Sequence, residues 1–213
     1  PQFRSADTRQ GGQDIIKGAA GDDIVFGDHG LITQTAGTHL ILSTGDLTRA
    51  ETTDTGRGED DQITLLTGND IAFGGAGEDT LHATAGANIL LGDHGLIDWT
   101  SSDGDTASID LVESISDASG ADDSLTTQGT GADILIGGEG ADTISGADGD
   151  NLVIGDTARI TGFTGGAGLG SLALELATIE ATNNAHGGDD TITVGAGTDV
   201  VIAGVGADSV VAG

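Results

Sequence analysis

The sequence predicts an all-β chain, a parallel β-roll or β-solenoid of nonapeptide coils carrying inserted β-hairpin-like arms. Three observations predict it. A glycine turn, an aspartate and a short triplet centred on an apolar residue recur every nine residues, too short a period for a helical repeat. Period-two burial over three residues suits a short strand. The one proline of the 213 residues is Pro1, so all later backbone N–H groups remain for a continuous ladder.

The phrase is complete in Gly74-Gly75-Ala76-Gly77-Glu78-Asp79-Thr80-Leu81-His82. Its glycines permit positive φ and a tight bend that leaves carbonyl oxygens exposed. Counting the aspartate as position six and the central apolar residue as position eight, the chain shows four runs. Asp14 and Asp23 go with Ile16 and Val25, and Asp61, Asp70, Asp79 and Asn88 go with Ile63, Ala72, Leu81 and Leu90. Asp123, Asp133, Asp142 and Asn151 form the third run, with one extra residue between the first two, and Asp190, Asp199 and Asp208 form the fourth.

If two nonapeptides make one coil, loops 18 residues apart stack on one edge. That pairs Asp61 with Asp79, Asp70 with Asn88, Asp123 with Asp142, Asp133 with Asn151, and Asp190 with Asp208. Carboxylate, amide and turn-carbonyl oxygens then form all-oxygen cages suited to a hard cation of calcium size. Each of the first three runs closes on a related phrase, around Asp28-His29, Asp93-His94 and Asp156-Thr157. Asp28, Asp93 and Asp156 are expected to stack near Asp14, Asp79 and Asp142, capping a terminal cation or forming a turn. His29 and His94 have no partner constellation and are read as turn residues.

An insertion without nonapeptides follows each closing phrase, at about residues 31–55, 96–119 and 158–186. Each holds a short β-branched segment, a polar loop and a longer apolar segment: Leu40-Ile41-Leu42, then Ile109 to Ile115, then Leu172 to Ile179. A hairpin is expected for each, with Ile109, Leu111 and Ile115 alternating inward; a short helix is the alternative for the last segment. Trp99 and Phe163 are read as packing anchors. The organisation is thus a lead-in at 1–10, a partial unit with its insertion at 11–57, whole units at 58–119 and 120–186, and a partial unit at 187–213.

Triplets after Asp61, Asp79, Asp123, Asp142 and Asp190 have polar flanks, whereas those after Asp23, Asp70, Asn88, Asp133, Asn151 and Asp199 are apolar throughout. One sheet should therefore face water while the other is apolar on both faces. The insertions are expected to fold over that second face, burying Phe26, Phe73, Leu91, Ile136, Ile154 and Ile202; coverage by another chain is the alternative.

Charge narrows the partners. Six basic residues stand against 35 acidic ones, a formal net charge of −29, which disfavours nucleic acid. Stacked carboxylates without cations repel, and a merely solvated acidic surface would not keep phase with turn glycines. The chain contains no cysteine, hence no disulfide framework, and no apolar run long enough for a transmembrane segment. No GxSxG, HExxH or P-loop pattern occurs, and Asp103-Gly104-Asp105 lacks the rest of an EF-hand loop, so no enzyme activity is read here.

Gly74 to His82 and Gly137-Gly138-Glu139-Gly140-Ala141-Asp142-Thr143-Ile144-Ser145 resemble the RTX (haemolysin-type) calcium-binding nonapeptide. Partial matches extend the resemblance over residues 11–28, 58–93, 120–156 and 187–213. It implies a calcium-loaded β-roll in a secreted bacterial protein, usually exported by a type I system, with ligands at Asp14, Asp23, Asp61, Asp70, Asp79, Asn88, Asp123, Asp133, Asp142, Asn151, Asp190, Asp199 and Asp208. Asn88 and Asn151 depart from the aspartate of the motif and are expected to make weaker sites, and Asp93 and Asp156 of the closing phrases are added as capping ligands. The expected role is a calcium-binding stalk or filament-forming unit of a large extracellular protein, whose partners are calcium and copies of itself. A ligand-binding adhesin segment, or the noncatalytic folding module of a secreted enzyme, is the alternative.

Overall fold

The computed structural model describes residues 2–4, 12–35, 47–102, 104, 106, 108–115, 120–162, 176–182 and 185–213. The segment Leu40-Ile41-Leu42, Leu172 to Leu174, Phe163, Asp103 and Asp105 lie outside them. No helix occurs among the described residues.

Successive nonapeptides supply alternate strands to two parallel sheets. The outer sheet runs Ile15–Lys17, Gln62–Thr67, Thr80–Ala85, Ser124–Thr127, Thr143–Ser145, Thr191–Val194, Ser209–Ala212. The central sheet runs Ile24–Phe26, Ile71–Phe73, Ile89–Leu91, Ile134–Ile136, Leu152–Ile154, Val200–Ile202. In the outer sheet the position-eight residues Ile16, Ile63, Leu81, Leu125, Ile144, Ile192 and Val210 stand in one register. All but Val210, which is exposed, pack against Val25, Ala72, Leu90, Leu135, Val153 and Val201 of the central sheet, filling the inside of the roll. The flanking Gln62, Thr80, Thr143 and Thr191 are exposed.

A third, antiparallel sheet covers the other face of the central one. Its order is Gln2–Arg4, Gly30–Gln34, Leu47–Thr52, Gly95–Asp98, Leu111–Ser114, Ala158–Gly162, Leu176–Ala181. Each insertion is therefore a hairpin, and neighbouring hairpins join edge to edge. Ile32, Ala50, Ile97, Val112, Ile160 and Ile179 share one register across the sheet and lie against Phe73, Leu91, Ile136 and Ile154. Phe73 and Ile136 are fully buried, as the fold-back expectation requires, while Phe26 and Ile202 are partly buried beside them. Phe26 stacks on Phe73 with ring centroids 4.9 Å apart. Trp99 is buried in the same cluster.

One expected alternation is corrected. The strand starts at Leu111, and Val112 rather than Leu111 or Ile115 joins Ile109 in the cluster between the hairpins and the central sheet, although Leu111 is buried too. Between Ile109 and Val112, Asp110 donates its N–H to the Asp98 carbonyl, and its carboxylate accepts the Ser102 N–H at 2.8 Å. At each hairpin neck the N–H of Thr53, Ile115 or Thr182 donates to the carbonyl of His29, His94 or Thr157. Hydroxyls complete the joints between hairpins, Thr52 with the Gly95 backbone and Ser114 with the Ala158 backbone.

Candidate metal sites along the two turn edges

The register that aligns position eight also aligns position six, in two ladders. Before the outer strands stand Asp14, Asp61, Asp79, Asp123, Asp142, Asp190 and Asp208. Each N–H donates to Oδ1 of the next member, at 2.7, 2.7, 2.7, 2.8, 2.8 and 3.0 Å in order. Before the central strands stand Asp23, Asp70, Asn88, Asp133, Asn151 and Asp199, with the same bond at 2.9, 3.1, 2.8, 3.1 and 3.0 Å. All five expected pairs are neighbours. The ladders also run on across the insertions, where consecutive members are 44 to 48 residues apart in sequence.

The second carboxylate oxygen is the chemically informative one. Oδ2 of Asp61, Asp70, Asp79, Asp123, Asp133, Asp142 and Asp190 is buried without a hydrogen-bond donor. Turn carbonyls crowd beside it. A Cβ on Gly27 would stand 2.3 Å from Asp61 Oδ2 and 2.5 Å from the Gly74 oxygen; one on Gly92 would stand 2.2 Å from Asp123 Oδ2 and 2.5 Å from the Gly137 oxygen. Gly74, Gly137 and Gly155 show the same convergence on Asp79, Asp142 and Asp190. Oxygen facing oxygen in a buried space is repulsive unless a cation or proton lies between.

Protonation follows. Burial is the main cause that raises the carboxyls of Asp61 to about 6, Asp190 to about 7, Asp79 to about 8 and Asp142 to about 9, while the ladder N–H bonds oppose it and neighbouring aspartates add to it. Asp123, buried beside Asp93, is pushed up for the same first reason. Strand spacing sets stacked carboxylates roughly 5 Å apart, where two charges repel by about 3 kcal/mol at an effective dielectric of 20. One charged hydrogen bond returns only about 1.5–3 kcal/mol. A bare ionised ladder is therefore unfavourable, and its donors suit an oxygen-seeking cation. Among the described residues no three His, Asp or Glu side chains gather at one point, so such a cation would need turn carbonyls for much of its shell.

Asp28, Asp93 and Asp156 occupy the second-glycine position where the chain leaves for a hairpin. Their carboxylates accept N–H groups from the next coil at Ala76, Glu139 and Val205. Asp93 and Asp156 also accept from Ala121 and Gly188, where the chain returns. They join the two ends of an interrupted turn. Asp28 lies near Asp61 and Asp14, and Asp93 near Asp79 and Asp142, but Asp156 neighbours Asp190 and Asp208 rather than Asp142, because it closes the turn leading into the following run.

A position-five ladder is absent from the sequence reading. Asp22, Asp60, Asn69, Asp122 and Asp189 accept the N–H of Asn69, Glu78, Ala87, Ala141 and Ala207 at 2.8 to 3.1 Å. These bonds point opposite to those at position six, so adjacent coils clasp reciprocally. The signal is the acidic doublet, as in Asp22-Asp23, Asp60-Asp61, Asp122-Asp123 and Asp189-Asp190.

Comparison with known families agrees with this geometry. A model of the RTX calcium-binding nonapeptide repeat matches in four copies, at residues 10–30, 55–93, 127–157 and 184–213, over half the chain. Neither a curated protein nor a solved structure matches the chain.

Proposed function

Because the chain belongs to the RTX calcium-binding nonapeptide repeat family, whose repeats bind Ca2+, we propose that it is a calcium-set stalk or filament-forming segment of a large extracellular bacterial protein. The module itself is structural and calcium-binding. The observation carrying the reading is the unbroken pair of position-six ladders, whose buried Oδ2 atoms and turn carbonyls demand a positive centre.

On the outer-sheet edge, Asp14, Asp61, Asp79, Asp123, Asp142, Asp190 and Asp208 would hold calcium with the carbonyls of Gly74, Gly92, Gly137, Gly155 and Ala203. Asp93 and Asp156 add charge where a hairpin leaves. Asp23, Asp70, Asp133 and Asp199 would serve on the central-sheet edge. Calcium there neutralises stacked carboxylates and fixes the turns, so binding and folding are one free energy. Extracellular modules bind at about 10⁻⁴ to 10⁻³ M, which would keep the chain unfolded in calcium-poor cytoplasm and set it after export. Each coil pairs only with its neighbours, as in linear repeat arrays, which fits a stalk. No helix long and apolar enough to cross a membrane occurs among the described residues.

A calcium titration from chelator, followed by far-UV circular dichroism and small-angle scattering with magnesium as control, tests this. Collapse from an expanded chain to compact β structure with calcium alone is expected. Full β structure in chelator, unchanged by calcium, would overturn it.

A further inference from the structure

Two members of the central-sheet ladder are not aspartates. Asn88 and Asn151 accept the preceding N–H through Oδ1 like their neighbours. Their other side-chain atom is a donor. Asn88 Nδ2 donates to the Gly86 carbonyl at 3.2 Å and to Asp133 Oδ1 at 3.0 Å. Asn151 Nδ2 donates to the Ala147 and Gly149 carbonyls at 2.9 and 3.1 Å and to Asp199 Oδ1 at 3.1 Å. In Asp70 and Asp133 on the same ladder the corresponding atom is an oxygen, buried and lacking a hydrogen-bond partner.

We propose that Asn88 and Asn151 are amide clamps that close their own turns without calcium, so the cation sites are unevenly divided between the two edges. The argument rests on the calcium reading above. An amide N–H2 offers protons and no lone pair, so it cannot ligate a hard cation. Rotating the amide to present its oxygen would set N–H2 against the N–H of Asp70 or Asp133, breaking the ladder bond; the network fixes the orientation. The amide also supplies, through partial positive charge, what turn carbonyls and the next aspartate require. The outer-sheet edge has aspartate at every rung and no such substitute, whereas the central-sheet edge alternates Asp70, Asn88, Asp133, Asn151, Asp199. Two rungs of that edge are thereby formed by the chain alone.

Bound calcium is counted by native mass spectrometry at saturating calcium, on the whole chain, for wild type, Asn88→Asp, Asn151→Asp, the double variant and Asn88→Ala. Each aspartate is expected to add one ion and the pair two, with a steeper calcium dependence of folding; Asn88→Ala keeps the wild-type count. An unchanged count in the aspartate variants, or loss of an ion in Asn88→Ala, overturns the inference while leaving the calcium reading intact. A wild type that binds none overturns both. Should a variant fail to fold, the side-chain amide protons of Asn88 and Asn151 in the calcium-loaded wild type decide: slowed exchange is expected, and exchange at the solvent rate refutes the clamp.

Discussion

At the scale of single residues, glycines are defined here by what stands next to them. A Cβ on Gly92 would meet Asp123 Oδ2 at 2.2 Å and the Gly137 oxygen at 2.5 Å, whereas one on Gly12 or Gly56 would meet nothing within 4 Å. Overpacking of this kind costs about 1–3 kcal/mol. Gly92→Ala is therefore expected to raise the calcium concentration at the folding midpoint several-fold, and Gly56→Ala to leave it unchanged; equal effects in a circular dichroism titration would refute the cradle. The position-five aspartates contribute less. Asp60 is exposed, and its one backbone bond to Glu78 N–H spans 3.1 Å. Asp60→Ala should cost about 1 kcal/mol or less in denaturant melts, with the number of bound calcium ions unaltered.

At the scale of elements, the central sheet is stabilised from both sides. Phe73 is fully buried between Phe26 and the covering hairpins. Truncation of such a ring costs about 3–5 kcal/mol, so Phe73→Ala is expected to lower the melting temperature of the calcium-loaded chain far more than Thr143→Ala on the exposed face of the outer sheet. Comparable losses would mean that the hairpins do not cover the sheet. Much of this was legible in the sequence. Triplets such as Ile71-Ala72-Phe73 against Thr143-Ile144-Ser145 distinguish a sheet buried on both faces from one facing water, and the 18-residue stacking follows from alternation alone. Other features depend on contacts between distant segments. Nothing in Asp110 by itself announces that it binds Ser102 N–H, and the joining of hairpins edge to edge is visible only once the coils have set their spacing. Asn88 and Asn151 stand out in the sequence as departures from the aspartate of position six, but the carbonyls of Gly86, Ala147 and Gly149 that their amides bond are brought to them only by the folded turns.

At the scale of the whole molecule, charge and protons govern the chain when calcium is withheld. The formal net charge is −29, and the position-six carboxyls that fold into the turns are lifted from an ordinary 3.8 to about 6 at Asp61, 7 at Asp190, 8 at Asp79 and 9 at Asp142, burial being the main cause. A raised folded-state value means that the folded chain binds protons more tightly than the unfolded chain. In chelator these groups thus contribute stability that is fully present below about 3.8, and it is lost as pH climbs through 6 to 9. Acid plays the part of calcium, supplying a positive centre to each buried oxygen. The calcium-loaded chain has the opposite slope, because protons compete with the metal for the same oxygens. Far-UV circular dichroism of the chelated protein is expected to show β structure growing as pH falls from about 8 to about 5, while the loaded protein at the lower pH requires more calcium to reach its midpoint. If the chelated chain instead unfolded further on acidification, its carboxylates would be stabilised as anions, by solvent or by their N–H partners, and the burial that makes calcium necessary would not describe this molecule.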